Sequence, residues 1–161
     1  MPNIFQKTQI VNGPKTAVFH FYIRADGIEG EINRIIIDPA VDFAADTIAG
    51  QPVSLAIHAL SWAASSAKGS SFAGLLQFDG VNPYNVVALS PTANMANLDF
   101  QDLGGLKDRS DFGGNGKLKL TTFEFLLNNM QAHLVLKVKK YYKPLSLNAF
   151  GTIGAAQGTA L

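Results

Sequence analysis

The three histidines are the first side chains to test for chemistry, because imidazole serves as a general base and as a metal ligand near neutral pH. His20, His58 and His133 are far apart in the sequence, and no HExxH or similar metal-ligand spacing joins them. Each falls in a segment with the pattern of a β-strand. We interpret each as a polar-face or hydrogen-bonded core residue, and predict no catalytic and no metal-binding histidine.

Other reactive motifs are also missing from the sequence. It contains no cysteine, which excludes disulfides, thiolate metal sites and cysteine nucleophiles. No GxSxG motif marks a serine nucleophile. Gly104-Gly105 and the Gly113–Gly116 segment lack the Lys and Ser/Thr of a phosphate-binding loop, so turn formation explains them better. We therefore expect a non-enzymatic protein without a cofactor.

Acidic residues in the second half of the chain raise a calcium hypothesis. The residues concerned are Asp79, Asp99, Asp102, Asp108 and Asp111. Their spacing is not that of an EF-hand, and aspartate is a common turn residue. We favour solvated turn aspartates, and a calcium site in a loop stays open as the alternative.

One basic cluster interleaves lysines with aromatic residues, namely Lys137, Lys139, Lys140, Tyr141, Tyr142 and Lys143. Such a cluster could bind nucleic acid, with phosphates on the lysines and bases on the tyrosines. It is also typical of an edge or outer strand whose lysines discourage unwanted pairing. The net charge is only +1, which favours the second interpretation. Trp62 could form a sugar-stacking platform, but we favour a place in the core.

Composition sets the broad class of the protein. The 161 residues suit one domain, and only 16% are charged, against a usual fraction of about 25%. A low charge suits either a protein that buries surface against neighbours or one with a large core. The first residues do not resemble a signal peptide, and no apolar run reaches the ~18 residues of a membrane span. We expect a soluble protein made in the cytoplasm.

Glycines and prolines separate short apolar runs, which is typical of β-proteins. The predicted strands are Thr16–Ala25, Glu31–Ile37, Val53–Ala64, Phe72–Phe78, Asn85–Leu89, Gly116–Thr122 and Gln131–Tyr142. Val53–Ala64 also fits a helical stripe, but its β-like neighbours favour a strand. Val41–Gln51 is predicted as a connection with one possible helical turn. The Thr92–Gly116 stretch is either a functional loop or several short strands.

Alternation within the predicted strands indicates which side chains face the core. The inward residues are Ala17, Phe19, Phe21, Ile23, Leu118, Leu120, Ala132, Leu134, Leu136 and Val138. Lys117, Lys119, Thr121, His133, Lys137 and Lys139 are expected to face out. The sequence predicts an all-β fold, an antiparallel β-sandwich or jelly roll of seven to eight strands with long loops. Residues 1–144 would form a single domain with an N-terminal arm (1–11), and residues 145–161 a flexible tail.

Part of the pattern resembles small virion structural proteins of tailed bacteriophages. The resemblance begins with Leu75–Gly80, Leu89-Ser90-Pro91 and Leu98-Asp99-Phe100. It continues through a glycine-rich loop into Gly116–Thr122 and closes on Leu134–Lys140, whose end is basic. It covers the C-terminal half to two-thirds of the chain and rests on strand and turn patterns.

The resemblance implies a virion location and a role as a capsid decoration (cement) protein, or as a neck or tail component. The implied partners are the major capsid protein or other virion proteins, and further copies of the chain, with a trimer favoured. Met1–Val11 and Leu145–Leu161 would then be arms that reach neighbours. A membrane is not expected as a partner, and nucleic acid is disfavoured. The alternative is a β-sandwich that binds carbohydrate or another small ligand, which would need Tyr22, Tyr84, Tyr141 or Trp62 exposed together.

Overall fold

The fold is all-β, as predicted, with ten strands in two antiparallel sheets that pack in a sandwich-like arrangement. It is seen in a computed structural model that describes residues 3–25, 30–45, 54–65, 73–89, 96–108, 114–123 and 130–142. Sheet A has the order β1-β2-β10-β4-β7, with β8 also paired to β4. Sheet B has the order β3-β9-β5-β6.

The bounds of the elements follow the turn residues of the sequence. Sheet A contains β1 (Ile4–Asn12), β2 (Thr16–Arg24), β4 (Ser54–Ser65), β7 (Ala96–Asp99), β8 (Leu106–Lys107) and β10 (Gln131–Tyr141). Sheet B contains β3 (Arg34–Ile37), β5 (Ala73–Gly80), β6 (Tyr84–Leu89) and β9 (Gly114–Phe123). The helical elements are one turn, α1 (Pro39–Asp42), and a 3₁₀ turn at Gln101–Leu103. No helix among the described residues is long and apolar enough to cross a membrane.

The core lies between the sheets and is built by the predicted alternation. Every residue expected to face inward is buried, including Phe19 and Phe21 from sheet A and Leu118 and Leu120 from sheet B. Burying a side chain of this size stabilises a fold by about 1.5–3 kcal/mol. Val53–Ala64 was ambiguous in the sequence, and the structure forms the strand β4 there. Trp62 on β4 is only 2% exposed, which confirms its place in the core.

The structure contains more strands than the seven to eight predicted, because three strands lie where the sequence shows no apolar alternation. The first is β1, which takes up most of the range predicted as an N-terminal arm and pairs antiparallel with β2. The others are β7 and β8, both paired to β4, so the described part of Thr92–Gly116 consists of short strands around a 3₁₀ turn. The tail, residues 145–161, lies outside the described residues.

Two details of the predicted strands are wrong. The strand expected over Glu31–Ile37 begins only at Arg34, because Asn33 has a φ of 50°, which interrupts an extended backbone. Lys119 lies on the face of β9 that points away from the core, yet it is only 7% exposed. Its strand is central in sheet B, where Ile35 and Gln77 flank it, and its ammonium lies 3.3 Å from Asp79 Oδ1.

The two sheets are also joined beside β1. The guanidinium of Arg34 on β3 lies 4.0 Å from the ring centroid of Phe5, and Lys7 forms an ion pair with Asp42 of α1. Phe5 also packs on Phe21, with ring centroids 5.9 Å apart. The core-facing side of β1 is therefore attached to sheet B, while the edge of the strand is left at the border of sheet A.

Candidate interaction surface

The outer face of sheet A, which points away from the core, carries two of the three histidines. Its central residues are Gln6 and Thr8 on β1, His20 and Tyr22 on β2, His133 and Val135 on β10, and Ser61 and Ala63 on β4. Among them are exposed or half-buried polar, aromatic and small side chains, and none is charged. Such a face has little desolvation cost when another surface covers it.

His20 and His133 form a pair on this face. His20 Nε2 and His133 Nδ1 are 3.1 Å apart, and the rings are tilted by only 4° with centroids 5.3 Å apart. These values describe rings that lie side by side in one plane and share an N–H···N hydrogen bond, so at least one ring is neutral. Tyr22 packs against His133 at 5.0 Å. The pair confirms the prediction of hydrogen-bonded polar-face histidines.

His58 is in a different position, in the β4 bulge opposite Lys137 and Val138. Its Nε2 is buried, and no described residue hydrogen-bonds to it. Desolvation by burial lowers the pKa of His58, and the charges of Lys139 and Lys137 lower it further. His58 as a residue is half-buried, so it is neither a fully buried core histidine nor a fully exposed one.

Three of the acidic residues accept hydrogen bonds from neighbouring segments of the fold, and two of them, Asp79 and Asp108, bond to the start of β9. Asp79 accepts a 2.6 Å hydrogen bond from Asn115 Nδ2, which with Lys119 lowers the pKa of that carboxyl. Asp108 Oδ2 accepts from Gly116 N–H at 2.8 Å. Asp99 accepts from the backbone and the side chain of Gln101, and these bonds lower its pKa.

Among the described residues no group of three His, Asp or Glu side chains could hold a metal ion. Asp111, the fifth acidic residue of the calcium hypothesis, lies outside them. The turn role of the glycines is clear at Gly104 and Gly105, which have φ values of 77° and 84°. Gly116 also has a positive φ, 79°, but it lies within β9.

The basic cluster is placed differently from the prediction. Lys137 to Tyr141 belong to β10, which is central in sheet A between β2 and β4, so the edge-strand interpretation is wrong. Tyr142 follows the strand, and Lys143 lies outside the described residues. Lys140 is only 3% exposed. It donates to Asn12 Oδ1 and, at 2.9 Å, to Gly13 O, and its ammonium lies 4.3 Å from the centroid of Phe43. Among the described lysines of the cluster, Lys140 therefore points away from the face that carries Lys137 and Lys139.

Lys140 acts as a clamp on the β1–β2 turn that the sequence did not reveal. Its backbone N–H donates to Lys15 O at 2.8 Å, and Tyr142 Oη donates to Pro14 O at 2.9 Å. A signal was present, because Lys140 continues the inward series that runs through Leu136 and Val138. The ammonium can point inward only because Asn12 Oδ1 and the carbonyl of Gly13 accept its hydrogen bonds at this end of the sandwich.

A shallow depression lies on the outer face between β10 and β7. Its volume is about 270 Å³, and the small side chains of Ala59 and Ser61 form its floor. Val135 and Lys137 line one side, and Asn97 and Asp99 line the other. The Lys137 ammonium donates to Gln101 Oε1 at 2.9 Å, so this charge is already engaged within the fold.

The aromatic residues required for a carbohydrate platform are not brought together. Trp62 is buried, and Tyr84 belongs to β6 in sheet B, whereas Tyr22 and Tyr141 belong to sheet A. Tyr22 pairs with His133, eight residues before Tyr141 on β10. That separation is roughly 26 Å along a strand. The structure thus offers no shared aromatic surface of these four residues.

The most exposed part of sheet A is the β1 edge, which we define as residues 4–11. All of its residues except Phe5 are exposed, including the apolar Ile4 (39%), Ile10 (57%) and Val11 (48%). The sequence did not predict this strand because neither of its faces is apolar throughout. Apolar alternation appears only where a strand has one face in the core, and β1 is covered only at Phe5.

Comparisons with known proteins add one likeness in structure. No protein family model matches the chain, and no curated protein sequence matches it. Among solved structures, a chain from the crystal structure of tomato aspermy virus is similar over 87% of this chain and 85% of that chain. The TM-score is 0.37 and the sequence identity is 15%.

Proposed function

We propose that this chain is a non-enzymatic structural protein of a virion, and more specifically a decoration protein of a phage head. In this role it stabilises the shell through contacts with the major capsid protein and with further copies of itself. Repeated contacts of modest size are sufficient in a symmetric particle, because each is multiplied by the symmetry. The proposal places the protein in the virion.

The observation that carries the proposal is the way in which polar groups are distributed. The charged residues described above are engaged inside the fold, as in Lys140 with Gly13, Lys119 with Asp79 and Lys137 with Gln101. The surface that stays open consists of the uncharged central part of the outer face of sheet A and the long β1 edge. A surface of this kind suits protein–protein contact better than binding of a charged ligand. The strand pattern that resembles phage virion proteins supports the same role.

Shell binding provides the test. The chain would be mixed with shells assembled from the major capsid protein encoded in the same genome, and bound chain would be measured after sedimentation. We expect saturable binding at a fixed ratio to capsid subunits, and shells that withstand a higher temperature. Chain that stays in the supernatant at every concentration would contradict the proposal.

The copy number separates the head from the neck and tail. A decoration protein binds in proportion to the capsid lattice, whereas a neck or tail component is present in only a few copies at one vertex. Binding to shells at sub-stoichiometric, vertex-limited levels would therefore move the proposal from decoration to the neck or tail.

The proposed C-terminal arm is tested separately. A chain that ends at residue 144 keeps all ten strands and lacks residues 145–161. If the tail reaches a neighbouring subunit, this shorter chain binds shells more weakly than the full chain while its thermal unfolding is unchanged. Equal binding of the two chains would exclude the arm.

A further inference from the structure

We propose that β1 pairs antiparallel with β1 of a second copy of this chain, so that sheet A continues through two subunits across a twofold axis. The inference deepens the proposed function, on which its meaning in a shell rests, by naming one partner and the strand that binds it. The contact is twofold, in contrast to the trimer favoured from the sequence.

The first step of the argument is a comparison of the sheet edges. At the borders of the two described sheets, β3 and β7 have four residues each and β6 has six, whereas β1 has nine. Proteins usually shorten, bend or charge an exposed edge strand, because its free backbone groups otherwise recruit another strand. Three edges follow this rule by being short, and β1 is the exception.

The second step concerns what protects the β1 edge. Among the described residues, the backbone of residues 4–11 pairs with β2 alone. The single charged side chain of this edge is Lys7, which lies over the ring of Phe19 and is ion-paired with Asp42 on the core-facing side. The guanidinium of Arg34 on β3 also covers the ring of Phe5 on that core-facing side. Among the described residues, the outer-face side chains of the edge (Ile4, Gln6 and Thr8) carry no charge, so exposed Ile4 can pack against an incoming strand.

The third step shows why the partner can be a second copy. A twofold axis normal to the sheet requires that residues with side chains on the same face oppose each other, so one residue must oppose itself. If that residue is Gln6, Ile4 opposes Thr8 and Phe5 opposes Lys7. Every pair is then compatible, with an amide facing an amide at the axis and a cation beside an aromatic ring.

Other registers are less favourable. An axis at Lys7 places two ammonium groups directly opposite each other, which is destabilising. An axis at Thr8 brings Ile10 into the paired stretch, where the β1–β2 register shifts between Gln9 and Val11. The Gln6 register uses the regular part of the strand and ends before this bulge.

The expected contact is small, because in the Gln6 register only residues 4–8 of each strand, five residues, oppose one another. Specific stable interfaces generally bury about 1,200–2,000 Å² in total, which exceeds what one strand pair provides. We therefore expect a dimer that dissociates on dilution and that is strengthened when both subunits are held on a common lattice.

Site-specific disulfide formation tests both the contact and its register, since the chain contains no cysteine. We expect the Gln6→Cys variant to form a covalent dimer under mild oxidation. Ile4→Cys and Thr8→Cys should cross-link poorly alone but should cross-link with each other when mixed. If none of these variants cross-links above the level of an Asn97→Cys control on β7, the inference is overturned.

A charge substitution provides an independent measurement on the full chain. Gln6→Lys would place two cations at the axis, and we expect it to weaken the dimer by roughly tenfold in sedimentation equilibrium. Asn97→Lys, an exposed position on the opposite edge of sheet A, should leave the dimer unchanged. Circular dichroism of each variant establishes that the fold is kept.

Each alternative result has a definite meaning. A mass that stays monomeric at every concentration, or a trimer that is unaffected by Gln6→Lys, would contradict the twofold contact. Equal weakening by Gln6→Lys and Asn97→Lys would indicate head-to-tail pairing of β1 with β7 and would also overturn it. These outcomes are measured without capsid protein, so failure here is distinct from failure to bind shells.

Discussion

At the scale of single residues, the polar chemistry of this chain serves the fold. The buried Lys140 donates hydrogen bonds to the turn that joins β1 and β2. The His20–His133 pair on the outer face links β2 to β10. Burial lowers the pKa of the half-buried His58.

Replacing Lys140 with methionine tests the clamp. The Lys140→Met variant keeps the apolar stem but removes the donor to Asn12 and Gly13, and an acceptor left unsatisfied costs about 1–3 kcal/mol. We expect a loss of that size in the free energy of unfolding measured with urea. Lys139→Met, at the adjacent half-buried position, should change it by less than about 0.5 kcal/mol. Equal effects of the two substitutions would contradict the clamp.

The lowered pKa of His58 predicts how stability depends on pH. The unfolded chain takes up a proton on this ring at its ordinary value, whereas the folded protein does so only at lower pH, so falling pH favours unfolding. This loss of stability begins as the pH falls through the pKa of His58 in the unfolded chain, and it is complete below the pKa of His58 in the folded protein. Between about pH 7.5 and 5.5, the range in which histidine titrates, wild type should lose more unfolding free energy than His58→Gln. Parallel curves for the two proteins would show that His58 is not responsible.

At the scale of elements, the link from β7 to β8 shows how turn geometry sets the ends of short strands. Gly104 ends the 3₁₀ turn in a left-handed conformation, and its N–H donates to Gln101 O at 2.9 Å. Gly105 follows with a φ of 84° and packs closely against β4. This pair of glycines allows the chain to turn after β7, so that β8 pairs with the same strand, β4, as β7 does.

The two glycines are expected to differ in their tolerance of a side chain. A Cβ at Gly104 would meet nothing within 4 Å, whereas one at Gly105 would lie 2.7 Å from His58 Cδ2 and 3.0 Å from Ile57 O. Gly104→Ala should therefore cost only the left-handed backbone term of about 1–2 kcal/mol. Gly105→Ala should cost about 1–3 kcal/mol more, because it also overpacks the site. Thermal unfolding of both variants checks this, and equal losses would contradict it.

The elements also show how much of the fold could be predicted from the sequence. Strands with one face in the core, such as β2 and β10, were predicted closely, since burial imposes a period of two on their residues. β1 was missed because its partner β2 supplies the backbone hydrogen bonds, while most of its side-chain surface stays exposed. β7 and β8 bear out one of the two alternatives given for Thr92–Gly116, that of several short strands. The position of β10 in the middle of sheet A was also missed, since strand order depends on tertiary pairing rather than on local pattern.

The candidate surface was less predictable than the fold for a related reason. The His20–His133 pair joins residues more than a hundred positions apart, and only the β2–β10 register brings them together. The β1 strand is an edge because it comes at the end of the strand order of sheet A, and strand order cannot be read from the local sequence. What the sequence did indicate was the low fraction of charged residues, and in the structure this corresponds to an outer face whose central residues carry no charge.

At the scale of the whole molecule, the two sheets enclose an apolar core, and the described residues leave the outer face of sheet A and the β1 edge open to a neighbour. This arrangement is suited to lateral contacts between subunits, with β1 as the proposed self-pairing strand. A protein that works in this way has no need of a catalytic centre, because its contribution is the interface area that it adds to a larger particle.

Under the proposed function a phage genome encodes the chain, and the most direct test is quantitative mass spectrometry of gradient-purified virions of that phage. The proposal predicts that the chain copurifies with full heads at a fixed, lattice-proportional ratio to the major capsid protein. A chain that is abundant in infected-cell lysate but absent from the purified particles would contradict it.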